Sequence, residues 1–130
     1  MIEFYLDRHD NTSPYAQLVR QVRQSLLLGV LHVGDQLPTV KEVVRKLTIN
    51  PNTVLKAYRE LEHEGLIASR PGVGTFVVRT LAGPTLEQHP DLRASLAAWL
   101  FEARAGGLDT DSIVALFTSE LRALHAEVRS

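Results

Sequence analysis

The chain has 130 residues, 22% charged and 45% hydrophobic, which suits one compact domain or a small domain with an appendage, and excludes a disordered chain. There is no cysteine, so a disulfide framework, a thiol nucleophile and any cysteine-ligated metal site are excluded. No apolar run approaches the length of a membrane span, and the opening MIEFYLDRHD carries no signal-peptide pattern, so a soluble, cytoplasmic protein with no membrane partner is expected.

Net charge is −1, but it is unevenly spread. Residues 1–80 hold ten Lys/Arg against eight Asp/Glu, and residues 81–130 hold four against seven. Within residues 41–59 five basic side chains (Lys41, Arg45, Lys46, Lys56, Arg59) face one acid, Glu42. A basic stripe on a neutral chain is compatible with an electrostatic footprint for nucleic acid, and equally with a chance cluster on a solvated face.

Ile2, Phe4 and Leu6 alternate with polar neighbours apart from Tyr5, which predicts a short strand or an extended arm. Ser13-Pro14 predicts a helix start, with serine as N-cap and proline at the first helical position. Leu18, Val22 and Leu26 form one apolar face at helical spacing, flanked by Tyr15 and Val19, and Gly29 marks the end. Val30-Leu31 predicts a very short strand, and Gly34-Asp35 a turn. Thr39-Val40-Lys41-Glu42 is a capping box that opens a short helix burying Val40, Val43, Val44 and Leu47. Asn50 caps a second helix, with Pro51 at its first position; that helix buries Val54, Ala57, Tyr58 and Leu61 and stops at Gly65. Leu55 fits a position beside the groove or against the first helix equally well. Two short helices joined by about three residues have helix-turn-helix spacing. Leu66-Ile67 and Thr75–Val78, separated by Ser69–Gly74, predict a hairpin.

The fold class is therefore mainly α with a small β-hairpin: a winged helix-turn-helix over residues 1–79, a linker over 80–90 that contains Gly83-Pro84, and a helical hairpin over 91–130. The first helix of that hairpin carries Leu92, Leu96, Trp99, Leu100 and Ala103 on one side, and Gly106-Gly107 ends it. Asp109 caps the second, which shows Ile113, Leu116, Phe117, Leu121, Leu124 and Val128. Two helices of this length cannot bury both apolar faces alone, so a dimerisation role is expected for these residues.

On the helix from Pro51, one face is core and the other presents Asn52, Thr53, Lys56 and, to the side, Arg59, with Asn50 at the tip. The N-terminal half of such a helix enters the major groove. There Asn pairs with adenine, and Thr hydrogen-bonds a base or packs on a thymine methyl. Lys41 and Arg45 on the preceding helix would hold the DNA backbone. Arg70, Gly72 and Gly74 in the hairpin turn are candidate wing contacts, the glycines because they let backbone amides approach phosphate. The bland alternative is a solvated helix face, with Asn and Thr as caps and Lys56 and Arg59 paired with Glu60 and Glu62.

The stretch from Gly29 to Val78 resembles the DNA-binding domain of the GntR family of bacterial regulators. The matching elements are Gly34-Asp35 with Leu37-Pro38, Lys41-Glu42, Asn50-Pro51-Asn52-Thr53, Ala57-Tyr58, Leu61-Glu62, Glu64-Gly65-Leu66 and Gly74-Thr75-Phe76-Val77, preceded by Pro14-Tyr15-Ala16-Gln17. The resemblance implies a winged helix, a homodimer on a palindromic operator and a regulatory, mostly repressing, role. It places DNA contacts on Lys41, Asn50, Asn52, Thr53, Lys56 and the wing near Gly72 and Gly74. Two departures stand out: Lys41 replaces the family's usual arginine, turning a fork into a point charge, and Val73 replaces a frequent basic wing residue. The short tail resembles the YtrA-like subfamily, whose members often sit beside transporter genes.

Five histidines (His9, His32, His63, His89, His125) lack metal-ligand spacing, so no metal and no cofactor are expected. Asp109 and Asp111 read as helix-start acids and not as a catalytic pair, so no enzyme is expected. Two competing functions remain: a winged helix that docks protein with little DNA affinity, and a sensor that takes a small-molecule effector at the tail-helix dimer interface.

Overall fold

The computed structural model describes residues 1–83 and 88–129. It divides into two compact units, Met1–Gln88 and His89–Ser130. Of the stretch expected as a linker, residues 80–83 have no regular structure, residues 84–87 lie outside the described residues, and a helix already begins at Pro90.

In the first unit, α1 spans Pro14–Leu27, β1 Gln36–Leu37, α2 Val40–Leu47, α3 Pro51–His63, β2 Ile67–Arg70 and β3 Gly74–Val77. The core joins Leu18, Val22 and Leu26 of α1 to Val54, Ala57, Tyr58 and Leu61 of α3, with Leu37, Leu66 and Val77 from the sheet side. Both apolar faces read from the sequence are therefore core faces. In α2 only Val43 is fully buried; Val40, Val44 and Leu47 pack on the core edge, because so short a helix packs chiefly against α3.

The sheet is antiparallel with order β1-β3-β2. The hairpin register pairs Ile67 with Val77 and Arg70 with Gly74, and β1 adds Gln36 opposite Phe76. A third strand thus accompanies the expected hairpin. Val30-Leu31 is not a strand: Leu31 is buried, Val30 is exposed, and the amides of both donate to the Ser25 carbonyl in the bend that ends α1. Gly34-Asp35 turns the chain into β1, with the Gly34 amide on the Val77 carbonyl and the Val77 amide on the Asp35 carbonyl.

The N-terminal residues form an extended arm and not a strand. Two buried glutamines of α1 take the place of a neighbouring strand. Gln21 accepts from the Tyr5 amide at 3.1 Å and donates to the Tyr5 carbonyl at 2.8 Å. Gln17 does the same for Asp7, at 2.9 and 3.0 Å, and also donates to the Thr12 carbonyl. A long primary amide offers one donor group and one acceptor, the same pair a strand edge offers. The arm thereby seats Phe4 in the core beside Tyr58, with ring centroids 6.5 Å apart.

Local capping departs from expectation twice. Ser13 occupies the N-cap of α1, but its side chain makes no cap bond. At α2, Thr39 accepts from the Glu42 amide at 3.1 Å, while the Glu42 carboxylate meets the Thr39 hydroxyl and not its amide. The box is therefore half built.

In the second unit, α4 spans Pro90–Ala105 and α5 Thr110–Arg129. Asp109 caps α5 by accepting from the Ser112 amide at 2.8 Å, and its hydrogen bonds with Ser112 hold its carboxyl below the usual range. No helix among the described residues is long and apolar enough to cross a membrane.

Tyr58 closes the first unit from within. Its hydroxyl donates to the Pro38 carbonyl at 2.5 Å, tying α3 to the loop before α2, and burial pushes its ionisation up, with Glu42 adding to the shift. Tyr58→Phe keeps the ring contact but leaves that carbonyl without its donor. The expected cost is about 1–3 kcal/mol of unfolding free energy, measured by urea denaturation. An unchanged midpoint would mean that water replaces the hydroxyl.

Candidate nucleic-acid interface

The turn between α2 and α3 sets the site. Thr48 ends α2 in the left-handed conformation, φ 54° and ψ 54°, with its amide on the Val44 carbonyl. Ile49 packs on the core edge, and Asn50 accepts from the Asn52 amide at 2.8 Å. Arg8 of the arm donates to the Leu47 carbonyl at 3.4 Å. Pro51 then starts α3 with its fixed φ and no amide to leave unpaired. With Val54, Ala57, Tyr58 and Leu61 all buried, the opposite face of α3 has no choice but to face outward.

That face carries the residues singled out from the sequence. Asn50, Asn52, Lys56 and Arg59 are exposed and Thr53 is half-buried. Asn52, Lys56 and Arg59 recur at helical spacing on one side. Leu55 is half-buried. On α2, Lys41 and Arg45 are exposed and one turn apart. Lys46 reaches Glu3 at 3.8 Å. Among the described residues Lys41, Arg45, Lys56 and Arg59 make no ion pair, so the pairing of Lys56 and Arg59 with Glu60 and Glu62 does not form. Glu62 instead accepts from the Ser69 hydroxyl at 2.6 Å.

Lys56 has a partner of another kind: its ammonium lies 3.9 Å from the centroid of the Tyr15 ring. The N-cap Ser13 and Tyr15 of α1 join Asn50, Asn52, Thr53 and Lys56 around an open cleft of about 350 Å3. Sequence reasoning placed Tyr15 on the core face alone. The usable signal was an aromatic ring in the first turn of the helix that packs against α3.

The wing is tighter than its sequence suggests. Arg70 and Gly74 belong to the strands and pair with each other, so the turn proper is Pro71-Gly72-Val73. The Arg70 guanidinium stacks 5.1 Å over Phe76, its diagonal neighbour on the same sheet face. Gly74 has φ +145°, and a Cβ there would lie 2.5 Å from Nε2 of Gln36, whose amide reaches the Val73 carbonyl at 3.4 Å. Glycine at 74 is thus favoured by its backbone conformation, independently of any ligand, whereas the exposed end of Gln36 could move aside for a Cβ. Gly72 has φ +74° and open space around it.

At the far end of α3, Glu64 forms a two-pronged ion pair with Arg23 of α1, which raises the Arg23 ionisation further. Arg79 donates to the Glu64 carbonyl at 2.7 Å, a cation placed on the helix C-terminus.

The second unit exposes most of its apolar side chains. Among its described residues only Ala103 and Ile113 are buried. Leu100 is half-buried, while Leu92, Leu96, Trp99, Leu116, Phe117, Leu121 and Leu124 stay exposed, Leu92 at 63% and Leu124 at 57%. Phe101 and Val114, outside the face read from the sequence, are exposed too. The side chain of Val128 lies outside the described residues. Leu96, Trp99, Leu116 and Phe117 line an apolar cleft of about 350 Å3 together with Glu120.

Comparison with known proteins matches this geometry. Residues 14–77 match the bacterial regulatory proteins of the gntR family. The chain is 31% identical over 109 residues to the HTH-type transcriptional repressor YtrA of Bacillus subtilis (strain 168), an alignment covering 83% of this chain and 84% of that protein. Among solved structures it is similar to YtrA from Sulfolobus acidocaldarius, a GntR-family transcription factor, with 28% identity and a TM-score of 0.54 over 78% of this chain and 96% of that one. It is also similar to a transcriptional antiterminator from Listeria monocytogenes EGD-e, with 26% identity and a TM-score of 0.58 over 92% and 90% of the two chains. With a helix-turn-helix and wing built from the matched residues and a YtrA-like tail, the chain belongs to the GntR family and is a DNA-binding transcriptional regulator, not an enzyme.

Proposed function

We propose that the chain is a sequence-specific repressor that acts as a homodimer on a palindromic operator in the cytoplasm, at the nucleoid. The observation that carries this is the forced outward face of α3, where Asn52 and Lys56 stand exposed beside Thr53 with no ion pair to neutralise the lysine. Asn52 and Thr53 read bases, Lys56 and Arg59 meet bases or flanking phosphates, and Asn50 sets the tip. Lys41 and Arg45 hold the backbone from α2, and Arg70 with the Gly72 and Gly74 amides does so from the wing. The repressing role is supported by the name of the Bacillus subtilis relative. A transporter operon as target rests on the subfamily resemblance alone.

The roles divide along the chain as 1–79 for DNA, 80–90 as linker and 91–130 for dimerisation. The uncovered apolar face from Leu92 to Leu124 supports the last, since isolated helical pairs do not leave this much Leu, Trp and Phe in water. A second copy would bury on the order of 1,600 Å2 or more in total. The cleft around Trp99 and Phe117 is the place where a small-molecule effector would reach such an interface.

The test is fluorescence-anisotropy titration of a duplex from the promoter of the chain's own gene against a scrambled duplex, across a salt series. A preference of about 10³-fold with a steep salt slope is expected. Asn52→Ala is expected to reduce the preference, whereas Lys41→Ala weakens both duplexes alike and lowers the salt slope by about one. Equal losses on both duplexes from both variants would contradict the division of roles. Equal, weak binding by the parent chain would mean that the operator lies elsewhere or that the winged helix docks on protein, and selection from a random duplex pool would separate the two.

Deleting residues 85–130 is expected to give a monomer by light scattering, with operator binding weakened far more than by any single substitution, because two linked reading heads act at high effective concentration. A truncated chain that remains dimeric would contradict the assignment of the tail.

A further inference from the structure

Lys56 is an exposed side chain on a flexible four-carbon stem, yet its ammonium is held at 3.9 Å from the Tyr15 centroid. Tyr15 is half-buried and packed against the hydrophobic core, so its ring is a fixed platform. The ring face attracts a cation through its quadrupole, which an aliphatic side chain of similar volume does not. The ring covers one side of the ammonium, and Lys56 lines the same open cleft as Asn52 and Thr53.

We propose that Tyr15 of α1 is a positioning residue for DNA recognition: its ring holds the Lys56 ammonium at the surface of α3, so that this cation meets DNA already ordered. A free lysine loses rotamer freedom when it settles on an acceptor. A lysine already restrained on a ring loses less, and the saving appears as affinity. The reading surface therefore includes the first turn of α1 as well as α2, α3 and the wing. This rests on the proposal that the α3 face meets DNA.

The test is a double-mutant cycle on the full-length chain, using the duplex that the parent chain enriches from a random pool. Tyr15→Phe keeps the ring and is expected to bind within about twofold of the parent. Tyr15→Leu is expected to weaken binding about two- to fivefold in the parent background, and to add nothing in a Lys56→Ala background. Thermal unfolding of each variant separates loss of fold from loss of binding. Should Tyr15→Leu melt below the assay temperature, Tyr15→Met supplies volume without a ring in its place. The same loss from Tyr15→Leu in both backgrounds would overturn the proposal, because the ring would then act apart from Lys56. So would unchanged or tighter binding by Tyr15→Leu, which would make the ring idle or a competitor for the cation. Those two results leave the α3 reading standing. Lys56→Ala binding as tightly as the parent, or no duplex enriched at all, would overturn the α3 reading and the role of Tyr15 together.

Discussion

The left-handed turn at Thr48 is the constraint on which the proposed reading surface depends. A β-branched residue in this conformation costs roughly 1–2 kcal/mol, so the surroundings must hold it there. They do so from several sides: the Val44 carbonyl takes the Thr48 amide, Ile49 packs on the core edge, Asn50 caps α3, and Arg8 reaches the Leu47 carbonyl. Reversing the chain within Thr48, Ile49 and Asn50 fixes how α2 meets α3. Once α3 is docked on α1 through Val54, Ala57, Tyr58 and Leu61, the direction of Asn52 and Lys56 follows with no further freedom. On the proposed reading, function is a by-product of packing: the core decides which side of α3 is left over.

The same economy governs charge. A chain of net charge −1 has no general attraction for a polyanion. Four acids of the first unit, however, are engaged away from the cations of the candidate site: Asp10 with Arg20, Glu64 with Arg23, Glu3 with Lys46, Glu62 with Ser69, while Glu42 and Glu60 remain exposed on α2 and α3. Lys41, Arg45, Lys56 and Arg59 are left without ion pairs among the described residues. Local arrangement, and not composition, makes this surface cationic, which also limits binding to wherever those side chains fit.

Much of the fold was legible in the sequence because its signals are local. Thr39 with Glu42, Asn50 with Pro51, and the stripe of Val54, Ala57, Tyr58 and Leu61 each declare a helix within a few residues. What was not legible depends on partners distant in sequence. β1 is two residues long, and nothing in Gln36-Leu37 signals a strand; it exists because Phe76 and Thr75 lie opposite. The Val30-Leu31 strand failed because an apolar pair beside a helix end can equally fold back onto Ser25. The glutamine clasps on the arm join residues ten and sixteen positions apart, and the Tyr15–Lys56 contact joins two helices. The α3 residues of the candidate site were proposed from helical spacing, whereas the Tyr15–Lys56 contact required the packing of the two helices to be seen.

The most direct test of the account is a nuclear magnetic resonance titration of the isotope-labelled full-length chain with the duplex it enriches from a random pool. The account expects the largest amide shifts over Asn50–Lys56, smaller ones at Lys41, Arg45 and the Pro71-Gly72-Val73 turn, and little change in α4 and α5. Shifts concentrated in the tail helices, with Asn50–Lys56 unmoved, would contradict the claim that the exposed face of α3 reads the DNA.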